Sequence, residues 1–307
     1  MKKIIFHIGY PKTGTTTLKK IIDNFYTNWF YLNKEESNHI IQKKLRYLSD
    51  SIFLHNKSNK LELLINEILI NCKNLDFDYF FLSIEDILTF EDVGKRINLI
   101  FLFKIISKLE KHFNIEILIT IRNQADMLES NFAYNYHNYF KKFDGNINLF
   151  FKKANKNKNL LENLNFKKIL TKINSTQKKI YILPMEYMRY PSIYKNKLKK
   201  IFINKKKIII YSENVTTGSN GNKKIIKSSF FNYFLKIHLY LKKNYIYEVS
   251  TRKIRRFIKR IFKKYYIKEI QMNLKLKENF QKKFYLSNKY FLKKNRISTK
   301  IFKDYIL

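Results

Sequence analysis

The sequence predicts an α/β fold: three layers, with a parallel β-sheet between two helical layers, followed by a helical C-terminal extension. Three observations lead there. Short, nearly unbroken apolar runs recur at Ile4–Ile8, Tyr79–Ser83 and Ile115–Ile121, and a strand buried on both faces reads as such a run. Longer stretches with apolar residues at helical spacing separate these runs. The two kinds of segment alternate along the chain, which is the pattern of a parallel sheet with crossover helices.

Taken in order, the first run leads through a Gly-, Lys- and Thr-rich turn, Gly9 to Thr16, into a helix from Thr15 with Leu18, Ile21, Ile22 and Phe25 on one face. Trp29 to Leu32 is a short second strand. Residues 34–73 read as helical, with Ile40, Ile41, Leu45 and Leu48, then Leu61, Leu64, Ile65, Ile68 and Leu69, at helical spacing. The strand Tyr79–Ser83 leads into Ile84, Glu85 and Asp86, and residues 95–111 read as a helix. The strand Ile115–Ile121 ends at Arg122, and Asp126–Tyr139 reads as the helix after it. Residues 147–173 are helical connectors, Lys179–Leu183 is a strand followed by Pro184 and Glu186, and residues 193–203 are helical. A polar loop, Ser212–Asn222, holds Gly218 and Gly221. The last third reads as helical and basic.

A chain of 307 residues suits one large α/β domain or two small ones. We read it as one domain, with a core over about 1–225 and a helical basic part over about 226–307. Hydrophobic residues make up 45% of the chain and aromatics 16%, enough for a substantial core, which excludes global disorder. The single cysteine, Cys72, excludes an internal disulfide and fits a reducing compartment. The apolar run after Lys2 and Lys3 is interrupted at His7 and ends at Gly9, unlike a secretory signal. No stretch approaches the roughly 18 uncharged residues of a membrane span. The expected location is the cytoplasm, with peripheral contact at the inner face of the membrane as an addition.

The formal net charge of +38 brings nucleic acid to mind. The lysines, however, are spread along most of the chain among Asn, Ile, Phe and Tyr, as a bias toward A/T-rich codons would leave them. A solvated lysine surface is therefore expected, and nucleic acid is not expected as a partner. From 252 to 266 the apolar positions Ile254, Phe257, Ile258, Ile261, Phe262 and Tyr265 follow helical spacing. Arg252, Arg255, Arg256, Lys259, Arg260, Lys263 and Lys264 fill the other face. Such a helix either packs its stripe on the core or lies on an anionic membrane surface.

The turn after the first strand carries the chemistry. Strand, Gly-rich turn and helix together place backbone N–H groups and a helix N-terminus around an anion. Gly9 and Gly14 keep the Walker A spacing, G-x-x-x-x-G-K-[ST], but Thr15 stands where that motif has lysine, and the lysine lies inside the loop as Lys12. Arg122 lies directly after a strand, and Ser130 follows eight positions on, within the next helix. A guanidinium fork and a hydroxyl at that edge are suited to a second phosphate.

The string PKTGTT, Pro11 to Thr16, resembles the 5′-phosphosulfate-binding loop of sulfotransferases that use 3′-phosphoadenosine 5′-phosphosulfate (PAPS), a P-loop-like family. Arg122 and Ser130 resemble that family's Arg/Ser pair, which binds the donor's 3′-phosphate. Asn214, Val215 and Thr216 resemble a string in the late loop of bacterial members, which closes over the adenosine diphosphate end; Lys223 and Lys224 follow it. The stretch around Phe284, Ser287, Asn288 and Phe291, ending near Tyr305, resembles the terminal helix of bacterial sulfotransferase domains. The basic segment near 230–270 departs from the family.

The resemblance implies a sulfotransferase that moves a sulfuryl group from PAPS to a hydroxyl or amine of an acceptor, a cell-surface carbohydrate or glycolipid. It implies Pro11, Lys12, Thr13, Gly14, Thr15, Thr16, Arg122, Ser130, Asn214 and Thr216 as donor-binding residues. Lys12 would stabilise charge growing on the leaving phosphate, and no metal is implied, because that group already meets a lysine and a helix terminus. Six histidines and one cysteine, scattered, form no zinc pattern. For the general base, Ser83-Ile84-Glu85 resembles a Ser-Ser-Glu string of bacterial members and puts Glu85 first. His137 and Glu186 are lesser candidates, and His7, inside the first strand, reads as a core or supporting residue. The alternatives are a P-loop nucleotide or small-molecule kinase, which lacks here the lysine after Gly14 and a Walker-B-like aspartate, and a basic membrane- or nucleic-acid-binding protein.

Overall fold

The computed structural model describes residues 1–10, 13–26, 28–32, 58–84, 99–134, 139, 142–202, 223–226, 267–270 and 272–298. The chain divides into two compact units. The larger comprises Met1–Met127, Ala154–Glu213 and Glu278–Leu307; the smaller comprises Leu128–Lys153 and Asn214–Lys277.

The larger unit contains the predicted sheet: five strands, all parallel, flanked by helices. In chain order the strands are β1 (Lys3–Gly9), β2 (Trp29–Tyr31), β3 (Tyr79–Ser83), β4 (Asn114–Ile121) and β5 (Lys179–Pro184), and their spatial order is β2-β3-β1-β4-β5. β1 is central, paired with β3 through His7↔Ser83 and with β4 through Gly9↔Thr120. From Ile4 to Gly9 every residue of β1 is buried, as is every residue of β4 from Ile115 to Ile121. Successive side chains of a strand point to opposite faces, so both faces of these strands are covered, and that coverage is why they read as unbroken apolar runs.

The helices between the strands are α1 (Thr15–Phe25), α2 (Ser58–Asn74) and α3 (Leu99–Leu109), then α4 (Gln124–Tyr134). The stretch expected as helical connectors forms three helices: α5 (Ile147–Lys156), α6 (Lys158–Asn163) and α7 (Phe166–Asn174). Two asparagines make those divisions. Asn157 and Asn165 accept from the backbone N–H of Leu160 and Lys168 at 3.0 and 3.1 Å, and each starts a new helix as its N-cap. A 3₁₀ turn, Met185–Arg189, follows β5, and α8 (Pro191–Ile201) starts with proline in its first turn. The chain then returns to the larger unit within α9 (Leu274–Lys282) and through α10 (Tyr285–Lys294). One cluster of aromatic rings, Tyr26, Trp29, Phe81 and Phe202, has centroids 5.0–5.8 Å apart around Phe202.

Two features anchor the end of the sheet away from the loop. The Glu116 carboxylate, buried at the start of β4, lies 2.9 Å from the Lys3 ammonium and 3.6 Å from that of Lys179, one neighbour on each side. Lys2 donates to the carbonyls of Cys72 and Leu75 at 2.9 and 2.7 Å, so a cation closes the C-terminus of α2. Cys72 itself is fully buried, and burial pushes its thiol up to about 12 against the opposing pull of the Lys2 charge. A folded-state value raised above the ordinary 9.0 contributes stability below that pH, and the contribution is lost as pH rises from 9.0 towards 12. At pH 8 the native thiol is expected to resist Ellman's reagent for hours and the urea-unfolded thiol to react within minutes; equal rates would contradict this burial.

In the smaller unit, Phe132, Tyr139, Phe143 and Phe150 form a ring cluster with centroids 5.2–6.0 Å apart. Lys277 pairs with the buried Glu129 at 2.8 Å. Two strands absent from the expectation lie here: β6 (Lys223–Ile226) pairs antiparallel with β7 (Ile267–Ile270). The C-terminal part is therefore not wholly helical; the predicted basic helix 252–266 lies outside the described residues. No helix among the described residues is long and apolar enough to cross a membrane.

Candidate functional site

Ligands of a parallel α/β sheet sit beyond the carboxyl ends of its strands, where the strand order changes direction. β1 and β4 are neighbours in this sheet, and the order changes direction between them: β2 and β3 lie on one side of β1, and the chain then crosses over to β4 and β5 on the other. Gly9 lies in register with Thr120, so the Gly-rich turn and Arg122 leave the same edge of adjacent strands.

The turn is held from below. Tyr10 is fully buried; its hydroxyl donates to the Asn163 carbonyl at 2.6 Å, and its ring lies 5.5 Å from that of Phe166. Burial pushes the Tyr10 phenol well above its ordinary value, so it remains a neutral donor. Thr13 is also buried, and its hydroxyl donates to the Tyr10 carbonyl at 2.6 Å, closing the turn on itself. Gly14 then adopts φ +77°, the left-handed region, where a side chain is strained. A Cβ at Gly14 would also lie 2.5 Å from Met188 Cε, a side chain of the 3₁₀ turn after β5.

Gly14 is the N-cap of α1, and it has no side chain to satisfy the first-turn N–H groups; the first helical bond runs from Leu18 N–H to the Gly14 carbonyl at 3.0 Å. The N–H groups of a first turn lie ahead of the helix's own i→i−4 ladder, and no acidic residue occupies this one. These are the groups and the dipole end that attract an anion. The three threonines differ: Thr13 and Thr15 point inward, whereas Thr16 is exposed. Because the Thr13 hydroxyl proton is already given to a carbonyl, Thr13 can offer an anion its backbone and not its hydroxyl.

Arg122 is half-buried directly after β4. The turn that carries it is tied down at the next two residues. The Asn123 N–H donates to Glu186 Oε1 at 2.9 Å, and the Asn123 side chain caps α4 by accepting from Asp126 N–H at 3.0 Å. That cap explains why α4 starts at Gln124 and not at the expected Asp126. Glu186, a lesser candidate for the base, is buried and committed to this backbone group.

Gln124, with no exposed surface, lies at the centre of an amide cluster. Its Nε2 donates to Asn288 Oδ1 at 2.9 Å and to the Leu164 carbonyl at 3.2 Å. Its Oε1 accepts from Gln281 Nε2 and Asn288 Nδ2, both at 3.1 Å, and Gln281 Oε1 accepts from the Ala125 N–H at 3.2 Å. The start of α4 is thereby joined to α9 and α10. Sequence reasoning singled out Asn288 on the terminal helix but missed Gln124 and Gln281. The only trace of them in the sequence is polar amides at otherwise apolar helical positions.

His7 is fully buried under the turn, with Nδ1 2.8 Å from Ser83 Oγ and Nε2 3.1 Å from Thr120 Oγ1; Thr120 Oγ1 in turn lies 2.9 Å from Thr13 Oγ1. Ser130 is buried on α4, in the part of that helix belonging to the smaller unit. Pro11, Lys12, Glu85, His137, Asn214 and Thr216 lie outside the described residues. The chain matches no protein-family model and no curated protein sequence.

Proposed function

We propose that the protein is a PAPS-dependent sulfotransferase. The observation that carries this reading is the pairing, at one edge of adjacent parallel strands, of an anion-suited helix N-terminus bearing the PKTGTT string with an arginine held on a hydrogen-bonded turn. In this reading the amides of Gly14, Thr15 and Thr16, the Thr16 hydroxyl and Lys12 hold the 5′-phosphosulfate. Arg122 takes the 3′-phosphate, and the sequence spacing adds Ser130 to it; Asn214 and Thr216 belong to the closing loop.

The bond between sulfur and the bridging phosphate oxygen breaks, and sulfur bonds to the acceptor oxygen or nitrogen, whose proton passes to a base, Glu85. Lys12 and the helix terminus stabilise the adenosine 3′,5′-bisphosphate that leaves. The acceptor is a carbohydrate or glycolipid, which the cationic surface and the basic 252–266 segment would help to meet at an anionic membrane.

Titration calorimetry of the full chain with adenosine 3′,5′-bisphosphate tests this. Lys12→Ala and Arg122→Ala are each expected to lower affinity about 10- to 100-fold, the span of a lost hydrogen bond to a charged group, with melting temperatures held. Affinity unchanged in both variants, or tighter binding of ATP·Mg than of the bisphosphate, would overturn the assignment; the second result favours a kinase.

A further inference from the structure

Four hydrogen bonds join Ser83, His7, Thr120, Thr13 and the Tyr10 carbonyl in one line beneath the turn. Their directions follow from counting protons. A carbonyl oxygen only accepts, so the Thr13 hydroxyl spends its one proton on Tyr10. Between Thr13 and Thr120 the donor must then be Thr120. With its own proton spent, Thr120 can only accept from His7, and Nε2 must therefore carry hydrogen. On the neutral ring Nδ1 is left to accept from the Ser83 hydroxyl. Every donor thus points the same way, from the end of β3, across β1 and β4, into the turn. Bonds aligned in this sense polarise one another in a buried setting. The ring is held from the side as well, stacked on Phe81 with centroids 5.5 Å apart and planes 19° apart.

We propose that His7 is a positioning residue of the turn. As the neutral Nε2–H tautomer it orients Thr120, through it Thr13, and so the backbone that precedes the N-terminus of α1. Its value to the protein rests on the anion-binding role assigned to that turn, but its action on the turn is readable without ligand. The aligned line also gives Gly9 a reason, since a Cβ there would stand 2.3 Å from Thr120 Oγ1 and 3.3 Å from His7 Nε2.

Long-range ¹H–¹⁵N correlation spectra of the full chain, with the His7 signals assigned by their loss in His7→Gln, are expected to show a neutral ring protonated on Nε2. A ring protonated on Nδ1, or on both nitrogens at pH 7, would overturn the proposal. Amide hydrogen exchange of Leu18, whose N–H makes the first bond of α1 to the Gly14 carbonyl, supplies the second reading in the unliganded protein. His7→Phe is expected to speed it about tenfold, the scale of one lost buried hydrogen bond. His7→Gln, whose amide nitrogen can occupy the place of Nε2, should stay within about threefold of the parent on the same scale. Equal acceleration in both variants would mean that His7 serves packing alone. Should His7→Phe fail to fold, Thr120→Val cuts the same line and is read the same way, with unchanged exchange counting against us. Affinity for adenosine 3′,5′-bisphosphate is measured in parallel. A parent protein that does not bind it sinks the proposed function, while tautomer and exchange still decide the role of His7.

Discussion

Gln124→Leu is expected to cost about 3–5 kcal/mol of folding stability, the largest effect of any single substitution outside the apolar core. Leucine fills similar space but neither donates nor accepts. The change leaves the Leu164 carbonyl, Asn288 Oδ1 and the amide hydrogens of Gln281 and Asn288 facing an apolar side chain in a place water does not reach. Each such orphan costs about 1–3 kcal/mol, reduced here because the remaining amides can partly re-pair among themselves. The loss also falls on function, because Gln124 sits two residues beyond Arg122 and ties that turn to α9 and α10. Urea denaturation followed by circular dichroism reads the first effect and bisphosphate titration the second. The exposed Leu286→Ala serves as the control, expected within about 0.5 kcal/mol of the parent. A deficit under about 1 kcal/mol for Gln124→Leu would mean that the amide cluster is not a closed network.

Gly9→Ala is expected to destabilise the protein by about 2–4 kcal/mol, combining overpacking with broken polar contacts. The added methyl carbon would meet Thr120 Oγ1 at 2.3 Å and Thr15 Cγ2 at 3.1 Å. Thr120 is β-branched and lies on a strand with neighbours on both sides, so it cannot swing aside as the end of a methionine could. Rotating its χ1 clears the methyl only by pulling the hydroxyl away from both His7 and Thr13. A double-mutant cycle isolates this effect. Thr120→Ala alone removes the hydroxyl, and adding Gly9→Ala to it should then cost well under half of what it costs in the parent. Strict additivity of the two changes would show that the clash lies elsewhere.

Much of the sheet was legible in the sequence because strands buried on both faces leave an unmistakable trace. Tyr79–Ser83 was predicted at its observed bounds, and Ile115–Ile121 was short by the single exposed residue Asn114. Helix starts were misplaced where the signal was a cap and not a periodicity. Asn123 moves the start of α4 to Gln124, and Pro191 moves that of α8 ahead of residue 193. β6 and β7 went unread because KKII and IKEI are too short and too charged to show a period of two. At the site, the turn and Arg122 were legible because their chemistry is local to a strand end. The His7 line and the Gln124 cluster were not, since their members lie up to 113 and 164 residues apart and meet only once the strands are in register.

The centrality of β1 also has a kinetic side. β1 leaves the ribosome before either neighbour, and the partners of His7 follow 76 and 113 residues later. At about 5–20 residues per second, the second of these is on the order of ten seconds behind. A largely apolar strand waits with both edges unpaired until β3 follows, and with one edge open until β4 does. A strand made before both of its neighbours therefore finishes folding late, and among the described residues three helices and two strands are translated while nascent-chain chaperones can act upon it.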